Sequence, residues 1–293
     1  MTRKQFTDEE REAWAKGIRQ EHEHFAALLK DVRSKMSDAG WQAYLEVQAR
    51  FYKYSPGNVM MICAQNPDAT RVAGYNDWRK FKRHVKAGEK GLRIFAPCFV
   101  KERREDDVEE LRLSFFRLVS VFDVSQTEGA PLPDVHEQCI TLVGEGHGGL
   151  YDALEQTAVA QGLTVGRVEL DGGANGSYTP SAGQIEISSA LAVDQAAKTL
   201  AHELAHHVLR NGDGYTGDTA VDEAEAESTA YMVCRMAGLD VASYTSGYVA
   251  VWLQEVKGAG IEAAAGILAE SQGRITKAAR TIAGWLGDLV SAD

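Results

Sequence analysis

The run Thr199-Leu-Ala-His-Glu-Leu-Ala-His-His207 constrains this chain more than any other stretch. At its centre is His202-Glu203-Leu-Ala-His206. On a helix, residues four apart lie about 40° apart around the axis and one turn along. Both imidazoles can therefore approach one metal ion, and Glu203 stands beside them, placed to hold a water there. The flanks favour a helix: Ala196, Ala197, Leu200, Ala201, Leu204, Ala205, Val208 and Leu209 are apolar at helical spacing, and Asn211-Gly212 ends the run. The plainer alternative is a buried helix whose histidines are core or capping residues.

Two histidines and a general base need a third protein ligand, with the fourth position left to water. One downstream stretch offers it: Val221-Asp-Glu-Ala-Glu-Ala-Glu-Ser-Thr-Ala-Tyr-Met-Val-Cys234, a second helix rich in Ala and Glu. Glu223 and Glu227 are four apart and share a face. Glu223 is assigned as the third ligand, and Glu227 as the carboxylate that orients a ligating imidazole. Glu225 points elsewhere and reads as a solvated position, while Ala226, Ala230, Tyr231 and Val233 make the helix half-buried. This is the zincin pattern in its gluzincin form, and the ion expected is Zn2+.

The 293 residues leave room for two domains. No apolar run reaches transmembrane length, and Met1-Thr-Arg-Lys-Gln-Phe-Thr-Asp-Glu-Glu10 has no apolar signal core, so no membrane partner is expected. Cys63, Cys98, Cys139 and Cys234 form no CxxC and read as thiols of a reducing compartment, which points to the cytoplasm. The net charge of −11 is unevenly spread: residues 1–137 carry 23 Lys and Arg against 22 Asp and Glu, residues 138–293 only 8 against 20. Residues 51–101 hold ten basic side chains and three acidic ones. So basic a segment in an acidic protein suggests a dedicated anionic partner.

Taken in order, Thr7-Asp-Glu-Glu10 has the capping-box pattern and opens a helix to about Lys35. Helices follow from about Trp41 to Lys53 and, after Ser55-Pro56, through Gln65, where Asn66-Pro67 stops the chain. Strands beginning at Leu92 and Leu111 make an antiparallel hairpin with a charged tip from Glu102 to Glu110. Ser125-Gln-Thr-Glu-Gly-Ala-Pro-Leu-Pro-Asp134 has linker composition. The expected division is a helical N-terminal domain with a β-hairpin at 1–124, a linker at 125–137 and a zincin-like domain at 138–293, α+β overall. In the second domain the strand Gln184-Ile-Glu-Ile-Ser188 directly precedes the metal helix and is expected to be the edge that holds an extended substrate by main-chain hydrogen bonds.

Between residues 69 and 91, Tyr75, Trp78 and Phe81 alternate with Arg79, Lys80, Lys82 and Arg83. Aromatic faces that stack on unpaired bases, set among cations that meet phosphates, suit single-stranded DNA. Asn58, Arg71, Tyr75, Trp78, Lys80, Arg83, Lys86 and Lys90 are the candidate contacts. The competing reading makes Trp78 and Phe81 the buried side of a short amphipathic helix.

Ser55-Pro-Gly-Asn58, Gln65-Asn-Pro-Asp-Ala-Thr70, Gly74-Tyr-Asn-Asp-Trp78, Val85-Lys-Ala-Gly-Glu-Lys-Gly91 and Ile94-Phe-Ala-Pro97 resemble the N-terminal domain of ArdC-type antirestriction proteins. The resemblance implies single-stranded DNA binding. The second half, with His202 to His206, the Glu223 helix and Tyr248-Val-Ala-Val-Trp-Leu253, resembles the ArdC metallopeptidase domain and the ImmA/IrrE peptidases. There the third ligand begins a Glu-x-x-Ala pattern, which Glu223-Ala-Glu-Ala226 matches. Three readings follow: a DNA-binding zinc metallopeptidase of antirestriction type, a DNA-binding protein whose zinc site is structural or vestigial, and a regulatory peptidase that cleaves a repressor as its protein substrate. Oligomeric state is not readable from the sequence.

Overall fold

The computed structural model describes residues 23–24, 26–33, 37–103, 109–132, 148–170, 173–212, 219–241, 247–258 and 261–290. The expected capping box at Thr7–Glu10 lies outside them, as do residues 104–108 of the expected hairpin tip (Glu102–Glu110) and 133–137 of the expected linker (125–137); within that linker, Thr127–Gly129 forms a strand instead. The chain forms two compact units, one of residues up to Val32 with Gly57–Pro131, the other of Arg33–Pro56 with Leu132–Asp293. The linker composition at 125–137 predicts that residues 33–56 belong to the first domain. In the structure the described part of this segment, residue 33 and residues 37–56, packs in the second unit.

That difference has a clear physical cause in helix α1, Asp38–Arg50, which starts at the Ser37 N-cap, whose hydroxyl accepts from Gly40 N at 3.1 Å. Trp41 is buried on this helix, meets Trp252 edge-on at 5.1 Å and donates its indole N–H to Ser228 Oγ at 3.0 Å. Glu46 accepts two 2.7 Å hydrogen bonds from the Arg235 guanidinium and one of 3.0 Å from Tyr231 OH. These partners lie nearly two hundred residues downstream, so no local pattern announces them.

In the first unit, helix α2 (Pro56–Gln65) precedes strand β1 (Val72–Gly74), helix α3 (Tyr75–Lys80) and strand β2 (Arg83–Val85). The expected hairpin is present as β3 (Leu92–Arg103) and β4 (Glu109–Asp123), antiparallel, with a bulge between Cys98 and Phe99. The sheet order is β1-β4-β3, and a short strand β5 (Thr127–Gly129) pairs with β2. The free edge of β3 is closed by side chains of α2. Asn58 exchanges hydrogen bonds of 2.8 and 2.9 Å with the carbonyl and N–H of Phe95, and Gln65 exchanges 2.9 and 2.8 Å bonds with those of Arg93. Two amides thus stand in for a missing strand. Asp123 ends β4 buried, its carboxylate accepting from the backbone N–H groups of Thr70, Arg71 and Ser125 at 2.8–3.0 Å. Burial would raise its pKa, but these hydrogen bonds outweigh burial and hold it below the ordinary carboxylate value.

The second unit continues with helix α4 (Gly148–Ala160), strands β6 (Thr164–Val168), β7 (Gly176–Thr179) and β8 (Gln184–Ser188), and helices α5 (Val193–Arg210), α6 (Thr219–Met236), α7 (Gly247–Gly258) and α8 (Ile261–Val290). Its sheet runs β6-β8-β7, parallel between β6 and β8 and antiparallel between β8 and β7. The strand expected at the edge, β8, is the central one. Its Ile185 and Ile187 are buried, and β7 forms the edge instead. Helix α5 sinks Ala196, Ala197, Leu200, Ala201, Leu204 and Ala205 into the core, so its backbone cannot rotate without exposing that stripe. Among the described residues, no helix is long and apolar enough to cross a membrane.

Candidate functional site

The buried stripe of α5 decides where its histidines point. His202 and His206 lie on the opposite side, toward α6, with their Nε2 atoms 3.0 Å apart. Glu223 comes from α6, one carboxylate oxygen 3.3 Å from His202 Nε2 and the other 3.4 Å from His206 Nε2. Among the described residues, these three form the group able to hold a metal ion. Tetrahedral coordination with bonds of about 2.0–2.1 Å places its ligands about 3.3 Å apart, close to the spacing these atoms already have. The donor set therefore fits a divalent ion.

Glu227 lies one turn along α6 from Glu223. Its Oε2 is 3.3 Å from His202 Nδ1, within ion-pair reach but off the line of a good hydrogen bond, while its Oε1 accepts from the buried Lys198 Nζ at 2.5 Å. Burial pulls His202 toward its neutral form, yet the carboxylates of Glu223 and Glu227 overcome it and raise its pKa to about 9. Hydrogen bonds from His202 and His206 hold the Glu223 carboxyl far below its usual range.

Glu203 is buried, and burial pushes its carboxyl up against the downward pull of His202 and His206. Strand β7 crosses directly over it. A Cβ on Gly176 would lie 2.7 Å from Thr199 Cγ2, 2.9 Å from Glu203 Oε1 and 3.2 Å from the Glu186 carbonyl, so only glycine allows this approach. The three candidate ligands, Glu203, Glu227, Lys198 and the β7 residues Gly176, Ser177 and Tyr178 line one cavity of about 550 Å³. Tyr178 OH is 2.8 Å from His207 Nδ1 at its rim. Lys198, Gly176 and Tyr178 are not among the residues the sequence motifs point to. Lys198, one turn before His202 and on the same helix face, offered a signal for the first; the other two depend on which strand crosses the helix.

Glu225 departs from expectation. It is 2 % exposed rather than solvated, and it pairs with Arg274 of α8 through contacts of 2.5, 2.9 and 3.1 Å. It faces away from the histidines, as the spacing predicts, into a different neighbour.

The candidate DNA contacts divide. Trp78 is 2 % exposed and donates its indole N–H to Phe122 O, so it belongs to the core of the first unit. Asn58 is committed to Phe95. The Arg83 guanidinium is clasped by Thr127 Oγ1 and by the carbonyls of Thr127, Gly129 and Ala130, which locks β2 to β5. Lys86 Nζ donates to Ser125 O at 2.8 Å, and Lys80 pairs with Asp77 at 2.6 Å on the surface. Arg71 is half-buried, and Lys90 is exposed with its carbonyl held by Gln126. Tyr75 is exposed, with the Arg79 guanidinium 5.3 Å over its ring. Of these cations, Arg83 and Lys86 are bound to backbone carbonyls and help hold the fold.

Two histidines and a carboxylate from two packed helices, with a buried glutamate beside them, define a candidate divalent-metal centre. The other half carries the family signal: residues 8–122 match the family model of the N-terminal domain of anti-restriction factor ArdC, and this region is ArdC-like. A pXO2 protein of Bacillus anthracis is 26 % identical over 247 residues, covering 70 % of this chain and 41 % of the relative, so the chain spans about two fifths of that relative's length. Crystal structures of the antirestriction protein ArdC from plasmid R388 are similar at low identity. The metal-free one has a TM-score of 0.46 at 18 % identity, covering 79 % of this chain and 85 % of that one. The Mn(II)-bound one has a TM-score of 0.43 at 19 %, covering 82 % and 97 %.

Proposed function

We propose that this chain is an antirestriction-type protein of the cytoplasm that binds single-stranded DNA through its ArdC-like region and hydrolyses peptide bonds at a zinc site formed by His202, His206 and Glu223. The observation that carries the catalytic half is the convergence of these three donors beside Glu203, at spacings of 3.0–3.4 Å. When bound, zinc supplies a Lewis acid that polarises a substrate carbonyl and lowers the pKa of water. Glu203, with its pKa raised by burial, takes the proton from the attacking water and passes it to the departing amine. Glu227, held by Lys198, keeps His202 turned with Nε2 toward the ligand cluster. The free edge of β7 lies along the same cavity, so an extended peptide can add to it as a further strand. The cytoplasmic setting is supported by Cys63, Cys98 and Cys234, all free thiols.

The test is metal analysis of the purified full chain together with turnover of a quenched-fluorescent peptide library. About one zinc per chain is expected, lost in His202→Ala. Glu203→Gln should keep the zinc and the DNA affinity while abolishing turnover. A wild-type protein that takes up no zinc, or a Glu203→Gln variant that still cleaves, overturns the catalytic assignment.

A further inference from the structure

A third histidine, His207, directly follows His202-Glu203-Leu-Ala-His206, and the function proposed above gives it no part. Thr199, Glu203 and His207 are four apart and form one row along α5, with a rise of about 6 Å per step. Strand β7 lies against this row. A Cβ on Gly176 would meet Thr199 and Glu203. Tyr178, two residues on, faces the same way and reaches the next member of the row. Its hydroxyl is 2.8 Å from His207 Nδ1, and its ring meets the imidazole edge-on at 5.6 Å. Tyr178 is half-buried and lines the same cavity as His202, Glu203, His206 and Glu223. Two contacts from His207 thus fix a phenol hydroxyl in the cavity wall, one helical step beyond the carboxylate that handles the proton.

We propose that Tyr178 is a catalytic residue whose hydroxyl donates a hydrogen bond to the oxyanion of the tetrahedral intermediate, and that His207 is the positioning residue that aims it. This rests on the peptidase reading above and deepens it. In the first step the water oxygen bonds to the carbonyl carbon and its proton goes to Glu203. The carbonyl π pair moves onto oxygen, where the Tyr178 O–H meets the new charge. The C–N bond then breaks, the pair re-forms the carbonyl, and the amine leaves with the proton from Glu203. Tyr178 keeps its own proton throughout. A neutral His207 that donates from Nδ1 to the phenol oxygen leaves the phenolic proton for the oxyanion. The other donors of the cavity are placed less well. Lys198 is committed to Glu227, Asn175 and Arg210 are exposed, and Gln195 sits two turns before His202. Strand alternation turns Ser177 to the opposite face of β7 from Gly176.

Tyr178→Phe keeps the ring on His207 and removes only the donor. On the zinc-loaded full chain, with a library peptide that the wild type cleaves, it should lower kcat by about 10²–10³-fold, the effect of one lost oxyanion donor, with KM within about threefold. Zinc content and Tm should match the wild type. A phosphinic analogue of that peptide, which carries a tetrahedral oxyanion, should lose affinity by a similar factor in titration calorimetry. The uncleaved peptide should bind Glu203→Gln equally well with and without Tyr178→Phe. His207→Phe, which keeps a ring beside Tyr178 but offers no N–H, should lower kcat less and add little to Tyr178→Phe. Turnover by Tyr178→Phe within about threefold of wild type, or equal loss of affinity for substrate and phosphinic analogue, overturns the oxyanion role and leaves the peptidase reading standing. Losses at His207 and Tyr178 that simply add overturn the positioning role. A wild type that cleaves no peptide of the library overturns both the proposal and the reading beneath it.

Discussion

Glu223 and Glu225 are two residues apart on α6, and replacing each with alanine should damage the protein in different ways. Glu225 is buried against Arg274, whose side chain is itself only 19 % exposed. Removing the carboxylate leaves a guanidinium with Ser271 Oγ at 3.3 Å and the exposed Glu270 carboxylate at 3.9 Å. Breaking a buried ion pair from one side costs about 3–5 kcal/mol, because the remaining charge loses its compensation. The nearby Glu270 and partial access to solvent place this case near the lower end, about 3 kcal/mol. For a domain of this size that lowers Tm by roughly 6–12 °C. Zinc stoichiometry in the folded protein should not change, since the pair faces α8 and not the histidines. Glu223→Ala should show a different pattern: metal content falls to near zero, whatever the loss of its contacts with His202 and His206 costs in Tm. Replacing both partners, as in Glu225→Leu with Arg274→Met, should recover most of the lost stability, because no charge is then left buried. Calorimetry and metal analysis on the same preparations read all four proteins. If Glu225→Ala empties the metal site at unchanged Tm, the two carboxylates have been assigned the wrong way round.

Two further outcomes are expected. Gly176→Ala should cost about 1–3 kcal/mol by overpacking against Thr199 and Glu203, and should reduce hydrolysis while leaving zinc bound, read by Tm, metal content and turnover. Asp123 has a depressed pKa, so its contribution is full above the unfolded carboxylate value of about 4 and is lost as the pH falls through the lower folded value. Asp123→Asn should therefore cost about 2 kcal/mol at pH 7, and the cost should shrink as the pH is lowered below about 4, read by urea unfolding at a series of pH values.

The sequence alone determined what lies within one or two helical turns. His202, His206 and Glu203 share a short segment whose apolar neighbours force one orientation, and Glu223 and Glu227 repeat the same four-residue geometry on the next helix. Such spacings survive folding because the helix itself, rather than its surroundings, sets them. Everything that depends on a distant partner was left to the tertiary structure. Whether β8 or β7 is the edge depends on which strands pair across the sheet, and the alternation of Ile185 and Ile187 suits either place. Residues 37–56 join the second unit because Trp41 and Glu46 find Ser228, Tyr231 and Arg235. Glu225 turns from a surface acid into a buried one when Arg274 arrives from α8. Trp78 and Arg83 looked like ligands because a sequence shows chemical capacity and not occupancy. The carbonyls of Phe122, Thr127 and Ala130 use that capacity first, since a buried N–H or guanidinium left without an acceptor would cost more than a surface contact returns.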